Sequence, residues 1–266
     1  LPYFRPADRC QGPTGRSRLF HRMAEGTGMA QILAEWGIAG MEALRGRVAA
    51  LVVVDVLSFS TAVDVAVSRG AQVLPFPSGD PAAAVLAAER AGAVLAQPRR
   101  AGRFSLSPAS LLEIPAGTRL MLPSPNGSRL SLAGGGTPVL AGCLRNAAAV
   151  ARAARGLAGD GDIGVIPAGE RWPDGSLRPA IEDLLGAGAV IDALALPCSP
   201  EAQVMRDACR LAGADLPRLI RESMSGRELM ERGFPRDVEL AIEREASATA
   251  PLLADGAYRP PDPLPA

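Results

Sequence analysis

Leu51-Val-Val-Val-Asp-Val-Leu-Ser-Phe-Ser-Thr61 is an apolar run ending in a carboxylate, followed within six residues by three hydroxyls. A helical pattern, Ala62 to Arg69, comes next. That order reads as a buried strand, a short turn and a helix N-terminus. In open α/β sheets, ligands bind beyond the carboxyl end of such a strand. Free N–H groups and the helix dipole attract an anion there, and a carboxylate beside them suits a hard cation such as magnesium. Asp55 capping the turn is the plainer alternative, so the neighbouring segments have to decide.

Working outward, strands and helices alternate. Strands are expected at 48–57, 71–75, 93–96, 118–122, 138–141 and 163–167. Helices are expected at 60–69, at 81–91 with Asp80 as N-cap, at 146–156 and at 179–194. The final third, from Pro200, carries helical patterns over 201–211, 216–222, 225–232 and 236–247. Regular alternation predicts a three-layer α/β/α fold, with a largely parallel sheet covered on both faces and a helical C-terminal third. Residues 1–28 are rich in Arg, Gly and Pro and lack periodicity, so they read as a disordered extension. Residues 29–258 read as one catalytic α/β domain, and 259–266 as a Pro-rich tail.

Composition removes many chemistries. The 266 residues are 48% hydrophobic, enough for a full core, and carry 28 basic and 28 acidic side chains. Every basic residue is arginine, which leaves no Walker-type or Schiff-base lysine. The neutral balance gives no basic stripe, so no nucleic-acid partner is expected. A single histidine, His21, counts against Ser-His-Asp hydrolases and multi-His metal sites. Four cysteines without CxxC spacing read as reduced thiols of a cytoplasmic protein. No apolar run is long enough to span a membrane, so no membrane partner is expected either. Oligomeric state is not legible.

Several segments carry candidate chemistry. Cys10-Gln-Gly-Pro-Thr-Gly-Arg16-Ser17 fits the C-x5-R-S pattern of cysteine phosphatases. That loop needs a buried strand before it, and the nine residues preceding Cys10, with Pro2, Arg5, Pro6, Asp8 and Arg9, cannot supply one. Pro123-Ser-Pro-Asn-Gly-Ser-Arg129 follows an apolar strand; Ser124, Asn126, Gly127 and Ser128 suit either an anion-binding nest or an ordinary turn. In Gly142-Cys-Leu-Arg-Asn-Ala147, Asn146 suits a helix cap and Arg145 an anion contact or a solvated face. A long loop, Gly169–Ser176, precedes Arg178 and the adjacent acids Glu182 and Asp183, which suit either a divalent cation or a helix dipole. Arg99, Arg100 and Arg103 crowd a further loop. Three strand ends bearing Asp, Ser/Thr or Asn would share one edge of a parallel sheet, which describes a site for a small anionic substrate and a metal.

At these residues the chain resembles the 2-phosphosulfolactate phosphatases (ComB-like proteins). The resemblance is carried by Val53-Val-Asp-Val-Leu57 with Ser60-Thr61, the Ser-Pro-Asn-Gly-Ser block at 124–128, and Gly142 with Asn146-Ala147. Further on it rests on Ala168-Gly169, Glu182-Asp183, Ala187-Gly188, and a late Ser225-Gly-Arg-Glu-Leu229, Gly233-Phe234 and Asp237-Val238 segment. It implies a magnesium-dependent phosphatase converting (R)-2-phospho-3-sulfolactate to 3-sulfolactate and phosphate, a step toward coenzyme M. Carried over, Asp55, Glu182 and Asp183 would be the metal-side acids. Ser60, Thr61, Ser124, Asn126, Gly127 and Asn146 would surround the phosphate or sulfonate, with Ser128 at the same turn. The pattern departs at Ser58-Phe59, where the family usually has Arg-Ala. Arg99, Arg100 or Arg145 would have to replace the missing guanidinium; otherwise the chain binds an anionic metabolite without turning it over.

Overall fold

The computed structural model describes residues 29–77 and 80–260. The expected extension, the Cys10 segment, His21 and most of the Pro-rich tail lie outside the described residues.

In chain order the elements are β1 (Ile32–Ala34), α1 (Gly37–Leu44), β2 (Ala50–Val54), α2 (Phe59–Ser68), β3 (Gln72–Pro77), α3 (Pro81–Ala91), β4 (Val94–Leu95), β5 (Arg119–Ser124), α4 (Gly127–Leu132), β6 (Val139–Gly142), α5 (Ala147–Ala158) and β7 (Ile163–Pro167). They continue with β8 (Glu170–Arg171), β9 (Leu177–Arg178), α6 (Ile181–Leu194), α7 (Pro200–Ala212), α8 (Leu216–Glu222), α9 (Met224–Glu231), α10 (Pro235–Ala241), β10 (Leu252–Ala254) and β11 (Ala257–Arg259). Strand β2 is buried at every residue, as a covered parallel strand must be. Helix α3 starts where Asp80 accepts the amides of Ala82 and Ala83, with Pro81 behind it, and ends at Gly92 in the left-handed region.

The main sheet has the order β1-β7-β2-β6-β10-β11-β3-β5-β4. β1, β7, β2 and β6 are mutually parallel, and so are β3, β5 and β4. The mostly parallel sheet flanked by helices is the architecture that the alternation predicts. Its seam is not. The hairpin β10–β11 joins the two parallel blocks through three antiparallel pairings, so the blocks run in opposite directions. Segment 252–259 had shown no strand signal. Its strands are three residues each, and what fixes them is burial of Tyr258 beside Phe59, with ring centroids 6.1 Å apart.

The opposed blocks correct the expectation that the strand ends share one edge of a parallel sheet. That holds for β2, β6 and β7 only. β2 and β5 are five strand spacings apart, about 24 Å in a flat sheet. Gly127, three residues past β5, nonetheless donates its N–H to the carboxylate of Asp55, just past β2 (3.0 Å). Three residues reach only about 10 Å, so the sheet curls through its antiparallel seam and brings the two ends together. Aliphatic side chains of α5, α6, α7 and α8 fill one face of the β2 block. Met41, Leu44 and Leu130, from α1 and α4, cover the other.

Candidate active site

The turn after β2 is built by its own hydroxyls. Ser60 Oγ accepts the Asp55 amide (3.0 Å) and donates to Val53 O (3.2 Å). Thr61 Oγ1 donates to Val56 O (2.8 Å). Both side chains are fully buried and neither lines the cavity beyond Asp55. They hold the strand end against the helix start, and the substrate role expected of them passes to their neighbours. The Asp55 carboxylate is fixed from both sides: Oδ1 accepts from Phe59 N and Oδ2 from Gly127 N, each at 3.0 Å. A side chain at 127 has no room, since a Cβ would stand 2.2 Å from Phe59 Cδ1.

Asp55 faces a cavity of about 440 Å³, also lined by Ser58, Arg99, Ser124, Asn126 and Glu170. Asn126 donates to Glu170 Oε2 (3.0 Å) and accepts from Arg171 Nε (3.3 Å). Ser128 does not line the cavity; its hydroxyl is buried on Leu122 O (2.9 Å).

Of the three arginines considered as replacements at position 58, one is at Ser58. Arg99 donates from Nη2 to Ser58 Oγ (2.9 Å), and its Nε meets Asp237 Oδ2 at 3.4 Å. Asp237 is buried and also accepts from the Ser107 hydroxyl and Ala109 N, which fixes it as the brace for Arg99. Arg100 turns away, donating to Arg232 O (2.8 Å), and does not line the cavity. Arg145 is committed elsewhere: it is buried between Asp64 (2.8 Å) and Glu243, outside the cavity. Asn146 is likewise structural. Its Oδ1 accepts Cys143 N (2.9 Å) and its Nδ2 donates to Ala141 O (3.2 Å). The strand-then-helix context that suggested both residues as site groups is real, but that helix start is packed over by the segment bearing Glu243.

The acids behind the cavity differ from one another. Asp183 is buried and ties two loops together, accepting Val56 N (2.7 Å) and Gly169 N (2.8 Å). Gly169 must be glycine, with φ +65° and an added Cβ 2.7 Å from Leu177. Glu182, also buried, leaves Oε2 without a hydrogen-bond partner among the described residues. Burial, more than any neighbour, pushes the Asp55 carboxyl up to about 6, and the Glu182 charge adds to it. Burial also pushes Glu170 to about 7, helped by the charges of Asp55 and Glu182. Asp183 is raised well above the ordinary range by burial and then by Asp55 and Glu182.

Three carboxyls raised in this way beside the Glu182 charge are what a hard cation relieves. Among the described residues no three metal-binding side chains form a ready cage. Magnesium, however, keeps most of its waters and takes one or two carboxylates. The unpartnered oxygen of Glu182 and the second lone pairs on Asp55 fit that demand.

A sequence profile of the 2-phosphosulpholactate phosphatase family matches residues 41–256, a span that contains every residue named at this cavity. The chain belongs to the 2-phosphosulpholactate phosphatase family. A 2-phosphosulfolactate phosphatase from Methanothermobacter thermautotrophicus is 32% identical over 214 residues, covering 77% of this chain and 87% of that protein. Membership of the 2-phosphosulpholactate phosphatase family places the chain among the phosphoric monoester hydrolases.

Residues outside the expected set also line the cavity: Ser58, Glu170, Arg171, Trp172, Ser225 and Arg232, together with Arg178. Glu170, Arg171 and Trp172 lie in the Gly169–Ser176 loop that the sequence singles out, and a further signal was available on α9. Ser225, Glu228 and Arg232 recur at helical spacing along α9 and beyond its end, and all three face the cavity.

Proposed function

We propose that the chain hydrolyses (R)-2-phospho-3-sulfolactate or a closely related phosphorylated hydroxyacid to the free hydroxyacid and phosphate, with magnesium, in the cytoplasm. This would be a step toward coenzyme M where that cofactor is made. The observation that carries the reading is Arg99 braced at Ser58, in the same cavity as a clamped Asp55. It argues against a non-catalytic binder, because the guanidinium missing from position 58 has a stand-in. Glu182 and Asp55, with Asp183 behind them, would hold magnesium, which supplies charge neutralisation of the phosphoryl oxygens. The rest falls to the chain's own groups. Arg99 contacts the phosphoryl oxygens and offsets charge developing on them. The amides of Phe59 and Gly127 keep the Asp55 carboxylate aimed. Ser124 and Asn126 border the same space. A hydroxyacid oxygen leaves more readily with a proton, and Glu170, a partly buried carboxyl bordering the same cavity, is the group placed to donate it.

The test is phosphate release from a panel of phosphorylated hydroxyacids, with magnesium and with EDTA. Release that disappears in EDTA and in Asp55→Asn supports the reading. Tight binding with no release from any ester overturns it.

A further inference from the structure

Helix α7 buries one face, through Ala202, Met205, Cys209 and Ala212. Its other face is apolar as well. Leu211 is 90% exposed and Val204 65%, seven residues apart on one side of the helix. Pro200 and Ala208 continue that stripe, and all four border one groove of about 570 Å³. A second groove of about 380 Å³ shares Pro200 and Val204 and runs on to Trp36, Leu184 and Met205. A continuous apolar patch of this kind marks an association surface.

The face is complementary to itself. Val204 and Leu211 sit symmetrically about the step between residues 207 and 208. A two-fold axis through that step runs two copies of α7 antiparallel and sets Leu211 of each against Val204 of the other. Ala208 stands at the crossing, where a small side chain lets the backbones approach. Asp207 beside it is already neutralised by Arg206 at 2.9 Å. The charges agree with this direction. Glu201 lies in the first turn of α7 and Arg210 in the last. Burial and then the Glu201 charge push the Glu35 carboxyl up, and neither acid has an ion-pair partner among the described residues. Antiparallel packing brings the second copy's Arg210 within one turn, about 6 Å, of direct opposition to Glu201. Arg210 also meets Asp192 at 2.6 Å, and its fork of donors can serve both acids. Parallel packing would set like charge on like.

We propose that the exposed face of α7 is a two-fold interface between two copies of this chain, with the helices antiparallel and Val204 of each packed on Leu211 of the other. The interface shares no residue with the catalytic cavity and stands independently of the phosphatase reading.

The experiment is light scattering of the full chain after size exclusion, at about 1 to 100 µM. The wild type is expected at twice its 27.5 kDa chain mass. Leu211→Glu and Val204→Glu each put a charge against an apolar side chain, so each should weaken association by at least about 100-fold and give monomers with an unchanged circular-dichroism spectrum. Should either glutamate disturb that spectrum, Leu211→Ser must weaken association in the same direction. Mild oxidation then reads the geometry. Ala208→Cys should form a covalent dimer that the wild type does not. Val204→Cys should form none, because its two copies stand about 10 Å apart along the helix axis, beyond the reach of a disulfide. A wild type that is monomeric throughout leaves the face to a different protein and overturns the inference. So does a dimer that survives both glutamates, or a Val204→Cys cross-link as abundant as that of Ala208→Cys.

Discussion

Raising the pH through neutrality, with no divalent cation present, should weaken this fold. Asp55 titrates at about 6 against an ordinary 3.8, and Glu170 at about 7 against 4.5. In the folded protein both keep protons that the unfolded chain has already released above about pH 4.5. The native state therefore binds more protons, and stability falls as pH rises. The loss begins near the unfolded values and is complete above about pH 7. Each displacement corresponds to about 3 kcal/mol. Glu170's displacement already includes the Asp55 charge, so about 3 kcal/mol is the scale for the pair. Exposed acids paired with arginine, such as Asp215 and Asp207, are shifted downward and act only at lower pH. Asp183, Asp64 and Glu35 are raised by burial as well and act in the same direction, so the difference between the wild type and Glu170→Gln isolates the Glu170 share. Urea denaturation from about pH 5 to pH 7, in EDTA and again in magnesium, measures the loss. In EDTA the midpoint should fall with pH; magnesium, which favours the ionised carboxyls, should flatten the slope. Glu170→Gln should flatten it too. A midpoint in EDTA that is constant or rises from pH 5 to pH 7 refutes the reasoning.

Gly127→Ala places a Cβ against Phe59 and pushes the 127 amide off Asp55. It should cost about 2–4 kcal/mol by denaturation, and Phe59→Leu should recover part of that loss. Arg99→Met should lower kcat/KM by about 100-fold, and Arg100→Met by no more than about threefold in the same assay. Arg145→Met strands Asp64 in the interior and should cost about 3–5 kcal/mol, yet leave turnover per folded molecule within about threefold. Magnesium should raise the melting temperature of the wild type, and Glu182→Gln should abolish that rise.

Local rules made much of this molecule readable. Asp80-Pro81 marks the start of α3, and an unbroken apolar run marks β7. Asp55 and Asn126 follow strands, and both line the cavity. The misplaced residues share a cause. Asn146, Arg145, Ser60 and Thr61 are polar groups at strand ends, where bonding to backbone or to a buried partner competes with bonding to a ligand. Which option wins depends on distant segments: Glu243 reaches Arg145 across 98 residues, and Asp237 reaches Arg99 across 138. No periodicity encodes those pairings. The curl of the sheet was invisible for the same reason, since it hangs on two three-residue strands and one buried tyrosine.

The hairpin of residues 252–259 is translated after every other strand of the sheet. Until it arrives, β6 and β3 each carry a row of unclaimed amide and carbonyl groups, the kind of border along which nascent polypeptides glue to one another. Gly127 and Asp55 have no reason to meet before that moment. A chain truncated before residue 252 should accordingly yield two half-sheets prone to aggregate and without phosphatase activity, even though it still contains every residue that faces the cavity.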